Sequence, residues 1–315
     1  MSAVQSIDAE LLRSIPLPWP EQHTDKDSRG KVLVAGGSAM SVGAVSLSGL
    51  AALRAGAGKV LLAVPQPLSL AIGVNFPEAG VKGFAVTAKG HPSRAASEQI
   101  GALVSLSDAF LLGPGLSDES SAQKLARALL QSNVGMTCVL DAMCVTGLWD
   151  QQRLMSRHGG NLIITPHPGE MAALTGLSKE HINKEPIRVA EEAARRLQCI
   201  VVLKGSATVI AQPDGPTYHY QGGGVGLATS GSGDVLAGVL VGLVARGAKP
   251  IEAAIWSVYL HGEAGRRLAE RTGPLGFLAR ELPAEIPRLM GEFGSPRAAL
   301  SVPPPRPRGA TRMRP

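Results

Sequence analysis

Residues 222–238 read GGGVGLATSGSGDVLAG and join a glycine-rich loop to an apolar helical pattern. Seven of these seventeen residues are glycine, and Asp234 is the single charged residue. The backbone N–H groups of Gly231, Ser232 and Gly233 can turn toward one anion at the positive end of the helix that follows. Asp234 then fits two interpretations: it caps that helix, or it accepts a proton from a hydroxyl that attacks a bound phosphate.

On both sides of this stretch the chain predicts helices and strands, which form repeated β–α units from Lys31 onward. Predicted strands lie at 31–37, 59–65, 109–115, 137–142, 161–170, 199–211 (two strands) and 216–220, and predicted helices lie at 9–13, 43–55, 119–130, 186–197, 234–246, 250–271 and 277–290. Short, continuously apolar strands that alternate with helices are typical of a parallel sheet covered on both faces. The sequence therefore predicts an α/β fold with a mainly parallel central sheet.

Composition and charge narrow the domain organisation and the class of protein. The 315 residues are 44% hydrophobic and carry a net charge of +6, but residues 295–315 hold five arginines and no acid, which leaves residues 1–294 at +1. We predict a leading segment over 1–26, one domain over 27–292 and a disordered Pro/Arg-rich tail over 293–315. A near-neutral domain argues against a nucleic-acid partner.

Cysteine usage and hydropathy indicate the compartment. The three cysteines, Cys138, Cys144 and Cys199, show no CxxC spacing, and the start of the chain does not read as a signal peptide. The apolar run between Asp234 and Arg246 is too short to span a bilayer. We therefore expect a cytoplasmic protein with no membrane partner.

Glycine and polar residues follow most of the predicted strands, where an open α/β sheet binds its ligands. They comprise GGS at 36–38, GPG at 113–115, Asp141, TPHPGE at 165–170 and Lys204-Gly205. Two standard phosphate motifs do not match where the sequence comes nearest to them. Gly58-Lys59 fails the Walker A pattern, and the spacing of Gly36, Gly37 and Gly43 fails the dinucleotide fingerprint.

Six ordered motifs together resemble the ADP/ATP-dependent NAD(P)H-hydrate dehydratase family of the ribokinase-like superfamily. They are GKVLVAGGSAMSVGAVSLSGLAALRAGAGKV (30–60), LLGPGL (111–116), VLDA (139–142), ITPHPGEMAALTG (164–176), VVLKGSATVIAQPDG (201–215) and GVGLATSGSGDVLAG (224–238). The resemblance implies a three-layer α/β/α fold. It also implies that a nucleotide, ADP or else ATP, phosphorylates the ring hydroxyl of hydrated NADH or NADPH (the S epimer), after which phosphate leaves and NAD(P)H is restored.

The resemblance also assigns roles to individual positions. Asp234 would be the base that contacts the substrate hydroxyl, and residues 231–233 would form the anion hole. The hydrated dinucleotide would contact Ala44, Gly115 and His167; the nucleotide would contact Lys204, Gly205, Ser206, Ala207, Thr208 and Gly233. A magnesium ion is expected, which Glu170 could help to position through water, although Glu170 could equally cap the helix that starts near Pro168. Family members commonly form homo-oligomers, so the resemblance implies such an assembly, including a tetramer.

This chain departs from the family pattern near two of these sites. Gln221 and Gly224 stand where many members carry asparagines, and Ser230-Gly231-Ser232 replaces a G-G-T form. Met143 stands where a second Asp often follows VLDA, so Asp141 is interpreted as a supporting residue. Two alternatives remain at this point: a ribokinase-like small-metabolite kinase that stops at the phosphorylated product, and a non-catalytic nucleotide-binding protein.

Overall fold

The computed structural model describes residues 3–20 and 24–294, so the predicted tail lies outside the described residues from residue 295 on. The strands are β1 Val4–Ser6, β2 Lys31–Ala35, β3 Lys59–Pro65, β4 Gly80–Phe84, β5 Ala109–Leu112, β6 Thr137–Leu140, β7 Leu162–Ile164, β8 Ile200–Leu203, β9 Thr208–Ala211 and β10 Thr217–Tyr220. The helices are α1 Ala9–Ser14, α2 Ala44–Arg54, α3 Ser69–Asn75, α4 Arg94–Val104, α5 Glu119–Ser132, α6 Gln152–Met155, α7 Pro168–Thr175, α8 Lys179–Lys184, α9 Pro186–Leu197, α10 Ser232–Ala245, α11 Pro250–Thr272 and α12 Leu282–Gly291. Across these ranges, no helix is both long and apolar enough to cross a membrane.

The strands form one ten-stranded sheet in the order β1-β10-β9-β8-β7-β6-β5-β2-β3-β4. The seven strands from β8 to β4 are parallel, whereas β9 is antiparallel to both β8 and β10. β1 lies parallel to β10, with Val4 opposite Thr217. The first residues thus contribute a strand to the sheet, and the division of the chain near residue 26 stays a prediction.

Alternate residues of the central strands enter two separate cores, one on each face of the sheet. Val32 and Val34 of β2 pack in the core that contains α2, α10, α11 and α12. Leu33 and Ala35 of the same strand pack in the core that contains α4, α5 and α9. Because successive side chains of a strand point to opposite faces, this pattern gives three layers, and the predicted α/β/α fold is confirmed.

Two glycines bring helix α10 close to helix α2. A Cβ atom added at Gly238 would lie 2.3 Å from the Ser48 carbonyl oxygen, and one at Gly242 would lie 2.7 Å from the Ala52 carbonyl oxygen. Any larger residue would force the two helix backbones apart. The Ser48 hydroxyl donates to the Asp234 carbonyl oxygen at 2.9 Å, so the same contact fixes the start of α10 against α2.

Sequence reasoning missed the elements between residues 69 and 104, the short strand β1 and the short helices α6 and α8. The missed strand β4 reads GVKGF, has two glycines and forms one edge of the sheet, where its first four residues are not fully buried. Glycine weakens a strand signal, and an edge strand lacks the continuous apolar run of a buried one. α3 and α4, which flank β4 along the chain, are short helices with only one and three buried residues.

Candidate active site

The polar loops singled out in the sequence meet at one edge of the sheet. β8, β7, β6, β5 and β2 are neighbours and parallel, so their carboxyl ends lie side by side. These ends lead into Lys204, residues 165–167, Asp141, residues 113–115 and residues 36–38, respectively. The predicted ligand-binding edge therefore gathers residues from five separate parts of the chain.

The glycine-rich stretch ends where helix α10 begins at Ser232. Gly231 is the N-cap residue and has φ +88°, a left-handed conformation that favours glycine. Asp234 is thus the third residue of the helix and does not occupy the cap position. The N–H groups at this helix start have no partner inside the helix and carry its positive partial charge, which suits an anion.

Four charged side chains form a cluster beside this helix start, which we call the Lys204 cluster: Asp141, Glu170, Lys204 and Asp234. The Lys204 ammonium lies 2.8 Å from one carboxylate oxygen of Asp141 and 3.8 Å from one of Glu170. The Thr165 hydroxyl donates to the same Asp141 oxygen at 2.6 Å. Burial lowers the pKa of Lys204, but attraction to Asp141 and Glu170 outweighs burial, so its pKa lies above the ordinary value. Lys204 therefore stays charged in this cluster.

Asp234 has an unusually weak acid group for an aspartate. Burial raises its pKa, repulsion from Asp141 and then Glu170 adds to this effect, and the charge of Lys204 opposes it, which gives a pKa of about 7. A carboxyl with this pKa can accept a proton near neutral pH and release it again. Its position at the start of α10, next to the cavity-lining residues Ser232 and Gly233, marks Asp234 as the strongest candidate base in the described part of the chain.

His167 and Glu170 form a reciprocal cap at the start of α7. The His167 Nδ1 atom accepts from the backbone N–H groups of Gly169 and Glu170 at 2.9 and 3.1 Å. One Glu170 carboxylate oxygen accepts from the backbone N–H of His167 at 2.8 Å. Glu170 therefore does cap this helix, as one of the two interpretations predicted, and it reaches Lys204 as well. The cap holds the His167 ring, which is 55% exposed, at the edge of the site.

A cavity of about 710 Å³ opens on one side of the Lys204 cluster. Its lining includes polar residues of the β8–β9 turn and the start of α10, and apolar side chains such as Leu227 and Val258 together with the Tyr220 ring. Of the predicted nucleotide-binding residues, Lys204, Gly205, Ser206, Thr208 and Gly233 line it. Ala207 lies in the same turn but is not among the residues that line the cavity. This size and mixed lining suit a nucleotide, and the N–H groups at the start of α10 suit its phosphates.

Ala44 and Gly115, both predicted to contact the dinucleotide, lie next to each other and are not among the residues that line this cavity. A Cβ atom added at Gly115 would lie 3.0 Å from the Ala44 Cβ and 2.5 Å from the Ser41 carbonyl oxygen. Gly115 has φ +72°, so both its conformation and its surroundings exclude a side chain. The Gly37 N–H donates to the Pro114 carbonyl oxygen at 2.7 Å and ties the two loops together.

Sequence reasoning missed His261, which lies in the middle of α11 and lines the cavity. Its Nε2 atom lies 2.9 Å from the Ser232 hydroxyl oxygen and 3.0 Å from the Ser232 carbonyl oxygen. The residues are 29 positions apart, and the VYLHGEAG pattern reads as an ordinary buried helix. The small residues that follow the histidine are the only local signal of a close approach.

The positions that depart from the family pattern lie at the cavity or the sheet edge. Gln221 is exposed, whereas Gly224 lines the cavity with φ +75°, a conformation that asparagine adopts less readily than glycine. Met143 packs against the core that contains α5 and α9. This chain therefore has an apolar residue, rather than a carboxylate, just after Asp141.

The carboxylates of the Lys204 cluster are candidate ligands of a magnesium ion. Within residues 3–20 and 24–294, no group of three or more His, Cys, Asp or Glu side chains is arranged to hold a metal ion. Asp141 and Glu170 nevertheless share Lys204 as a neighbour. Mg²⁺ usually binds one or two carboxylates together with phosphate oxygens and water, so these residues fit an ion that enters with a nucleotide.

Comparisons with known proteins show which family the chain resembles over most of its length. A chain from Xanthomonas campestris named ADP-dependent (S)-NAD(P)H-hydrate dehydratase is 40% identical over 287 residues, 91% of this chain and 96% of that one. The bifunctional NAD(P)H-hydrate repair enzyme of Moorella thermoacetica is 37% identical over 274 residues, 87% of this chain, which covers 52% of that enzyme's length.

The fold is also similar to that of a solved structure. It is the ADP/ATP-dependent NAD(P)H-hydrate dehydratase of Bacillus subtilis co-crystallised with ATP and Mg²⁺, which superposes with a TM-score of 0.80 at 30% identity, over 92% of this chain and 99% of that one. The sequence profile described as NAD(P)H-hydrate dehydratase matches residues 32–288. The chain belongs to the NAD(P)H-hydrate dehydratase family.

Proposed function

We propose that this protein is a lyase that returns the S epimer of hydrated NADH or NADPH to the intact dinucleotide, with a nucleotide as phosphoryl donor. One observation carries the proposal: Asp234, with a pKa of about 7, stands at the start of α10 beside an anion-binding loop and the cation of Lys204. Membership of the dehydratase family and the 40% identity to an ADP-dependent dehydratase support this reaction over a kinase that stops at the phosphorylated product.

In the first step, the hydroxyl that hydration placed on the nicotinamide ring attacks the terminal phosphorus of the nucleotide. The bond from that phosphorus to the bridging oxygen breaks, and the hydroxyl proton passes to Asp234. Backbone N–H groups at residues 231–233 stabilise the negative charge on the phosphoryl oxygens. Lys204, which lines the same cavity, adds a fixed positive charge.

In the second step, the carbon–oxygen bond to the new phosphate breaks, with help from the lone pair of the ring nitrogen. Loss of a proton from the neighbouring carbon restores the double bond of NAD(P)H. Hydroxide is a poor leaving group and phosphate a good one, which is why the first step is needed. Ala44 and Gly115, which are neighbours outside the cavity lining, would hold the dinucleotide together with His167, which lines the cavity.

Nucleotide binding falls to the β8–β9 turn and the start of α10, that is, to Lys204, Gly205, Ser206, Ala207, Thr208 and Gly233. We propose ADP as the donor, following the activity named for the Xanthomonas relative. When bound, Mg²⁺ would neutralise phosphate charge, and Asp141 and Glu170 would hold it with water. The cytoplasmic location stays a prediction. So does the homo-oligomeric assembly, for which a tetramer is one expected form.

The test supplies hydrated NADH, Mg²⁺ and either ADP or ATP to the purified protein and follows the return of reduced nicotinamide absorbance. We expect recovery with ADP and slower recovery with ATP. The Asp234→Asn variant keeps a similar shape but lacks the base, so its turnover should fall by at least about 1,000-fold while nucleotide binding is largely kept.

Two other outcomes would reject the proposal. If the nucleotide is consumed and a phosphorylated dinucleotide accumulates without absorbance, the protein is a kinase of the alternative kind. If Asp234→Asn leaves the function unchanged, the protein acts by binding, as the non-catalytic alternative predicted.

A further inference from the structure

His261 lies in the wall of the nucleotide cavity but has no part in the reaction described above. It sits in α11, in contact with Ser232, the first residue of α10. Its Nε2 atom has two oxygen neighbours on that one residue, the hydroxyl at 2.9 Å and the carbonyl at 3.0 Å. Ser232 lies between Gly231 and Gly233. A side chain that contacts both of its oxygens can control how residues 231–233 present their hydrogen-bond donors to an anion.

The carbonyl contact determines which nitrogen of His261 carries the proton. A carbonyl oxygen can only accept, so a hydrogen bond of 3.0 Å to Nε2 requires a proton on Nε2. A protonated Nε2 cannot accept, so its single hydrogen is shared between the two Ser232 oxygens. The Ser232 hydroxyl oxygen accepts in the second contact, and its own proton is not used by His261.

The charge state of the ring agrees with this assignment. Burial lowers the pKa of His261, the bond to the Ser232 carbonyl opposes the effect, and the charge of Lys204 lowers the pKa further, to about 4. The imidazole is thus neutral at neutral pH, with its other nitrogen unprotonated. A neutral ring adds no positive charge to the cavity, so its effect on a bound anion has to act through Ser232.

We propose that His261 is a positioning residue, which holds the Ser232 hydroxyl and carbonyl oxygens from Nε2 so that the hydroxyl proton is directed to a phosphate oxygen of the nucleotide. Ser232 and His261 both line the cavity, next to Gly233 and Lys204. Residues 231–233 then present the Ser232 O–H to the phosphate in addition to their backbone N–H groups. The inference rests on the proposed function, because it assigns a phosphate to this end of the cavity.

The first test compares three single variants in steady-state kinetics with ADP. His261→Leu removes the donor, and we expect kcat to fall by about 10- to 100-fold with KM for ADP within about threefold. His261→Gln places an amide N–H near the Nε2 position and should restore kcat to within about fivefold of wild type. Ser257→Ala, a buried change one turn earlier on α11, is the matched control and should stay within about twofold.

The second test asks whether His261 acts through Ser232. In a Ser232→Ala background the hydroxyl is absent, so adding His261→Leu should lower kcat by less than about threefold more. Two results would overturn the inference: fully multiplicative losses in the double variant, or a His261→Leu loss that appears in KM for ADP while kcat is kept. Melting temperatures of all variants show whether a loss reflects unfolding.

The third test does not depend on the dehydratase activity. Nitrogen NMR of histidine-labelled wild-type protein, assigned with His261→Gln, reports the protonation state of the ring at neutral pH. We expect the neutral tautomer with its proton on Nε2; a proton on Nδ1, or a charged ring, would overturn the inference. If wild-type protein shows this tautomer but restores no NAD(P)H, the proposed function fails while the Ser232 contact stands.

Discussion

The pH dependence of turnover tests the environment of Asp234 directly. The base has to be ionised before it can accept a proton, and its pKa of about 7 places this change within the working range of the enzyme. With both substrates below their KM, the rate reports the free enzyme, and it should fall about tenfold for each pH unit below the pKa. This fall is the acid limb of the pH–rate profile. An ordinary exposed aspartate would stay ionised down to about pH 4 and would give no acid limb in this range.

Two substitutions should move this limb in opposite directions. Asp141→Asn removes the carboxylate that repels the charge on Asp234, and it also releases Lys204 from a partner at 2.8 Å. Both changes favour the ionised base, so the midpoint should shift to lower pH by about one unit. Lys204→Met removes the cation that lowers the pKa of Asp234, so the midpoint should shift to higher pH by about one unit or more.

The assay is the initial rate of NAD(P)H recovery at fixed low concentrations of ADP and hydrated NADH, between about pH 5.5 and pH 8.5. Each profile is scaled to its own maximum, because Lys204 also lines the nucleotide cavity and its loss lowers the absolute rate. Thr175→Val on α7, away from the cluster, is the control and should leave the midpoint in place. Midpoints that coincide in all variants, or that shift in the same direction, would refute this account of the Asp234 pKa.

Three further substitutions test the contacts that shape the site. Gly115→Ala should destabilise the protein by about 1–3 kcal/mol, because its Cβ would lie 2.5 Å from the Ser41 carbonyl at a positive φ, and should raise KM for hydrated NADH. Thr165→Val removes the 2.6 Å donor to Asp141 and should cost about 1–3 kcal/mol. Gly238→Ala should push α10 from α2, cost about 1–3 kcal/mol and lower kcat. Urea unfolding measures each free energy, and an unchanged midpoint would contradict the corresponding contact.

The strands that end at the site could be predicted from the sequence because each is a short apolar run followed by glycine or a polar residue. This pattern is local, and it fixed the positions of Asp141, Lys204 and residues 113–115 along the chain. The contact between Lys204 and Asp141 is not local: they are 63 residues apart and follow strands β8 and β6, which β7 separates. No residue pattern states that strand order, so the ion pair emerged only from the fold.

His261 could not be predicted for a different physical reason. Its helix is long, and eleven of its residues are buried in a core, so one histidine among them reads as packing. Its role depends on the crossing of α11 and α10, which places Nε2 against Ser232. By contrast, the cap between His167 and Glu170 spans only three residues, so both interpretations of Glu170 were available from the sequence.

The arrangement of charges explains why Lys204 lies beside both residues 231–233 and Asp234. A nucleotide phosphate that approaches residues 231–233 brings negative charge toward Asp234, which would raise the pKa of the base and keep it protonated. A Cβ atom at Gly233 would lie 3.4 Å from the Lys204 ammonium, so that cation sits directly against the loop. Asp141 and Glu170 keep it charged and in place. Lys204 can thus offset the phosphate where the base has to stay ionised, which is why its loss should shift the Asp234 midpoint as well as weaken nucleotide binding.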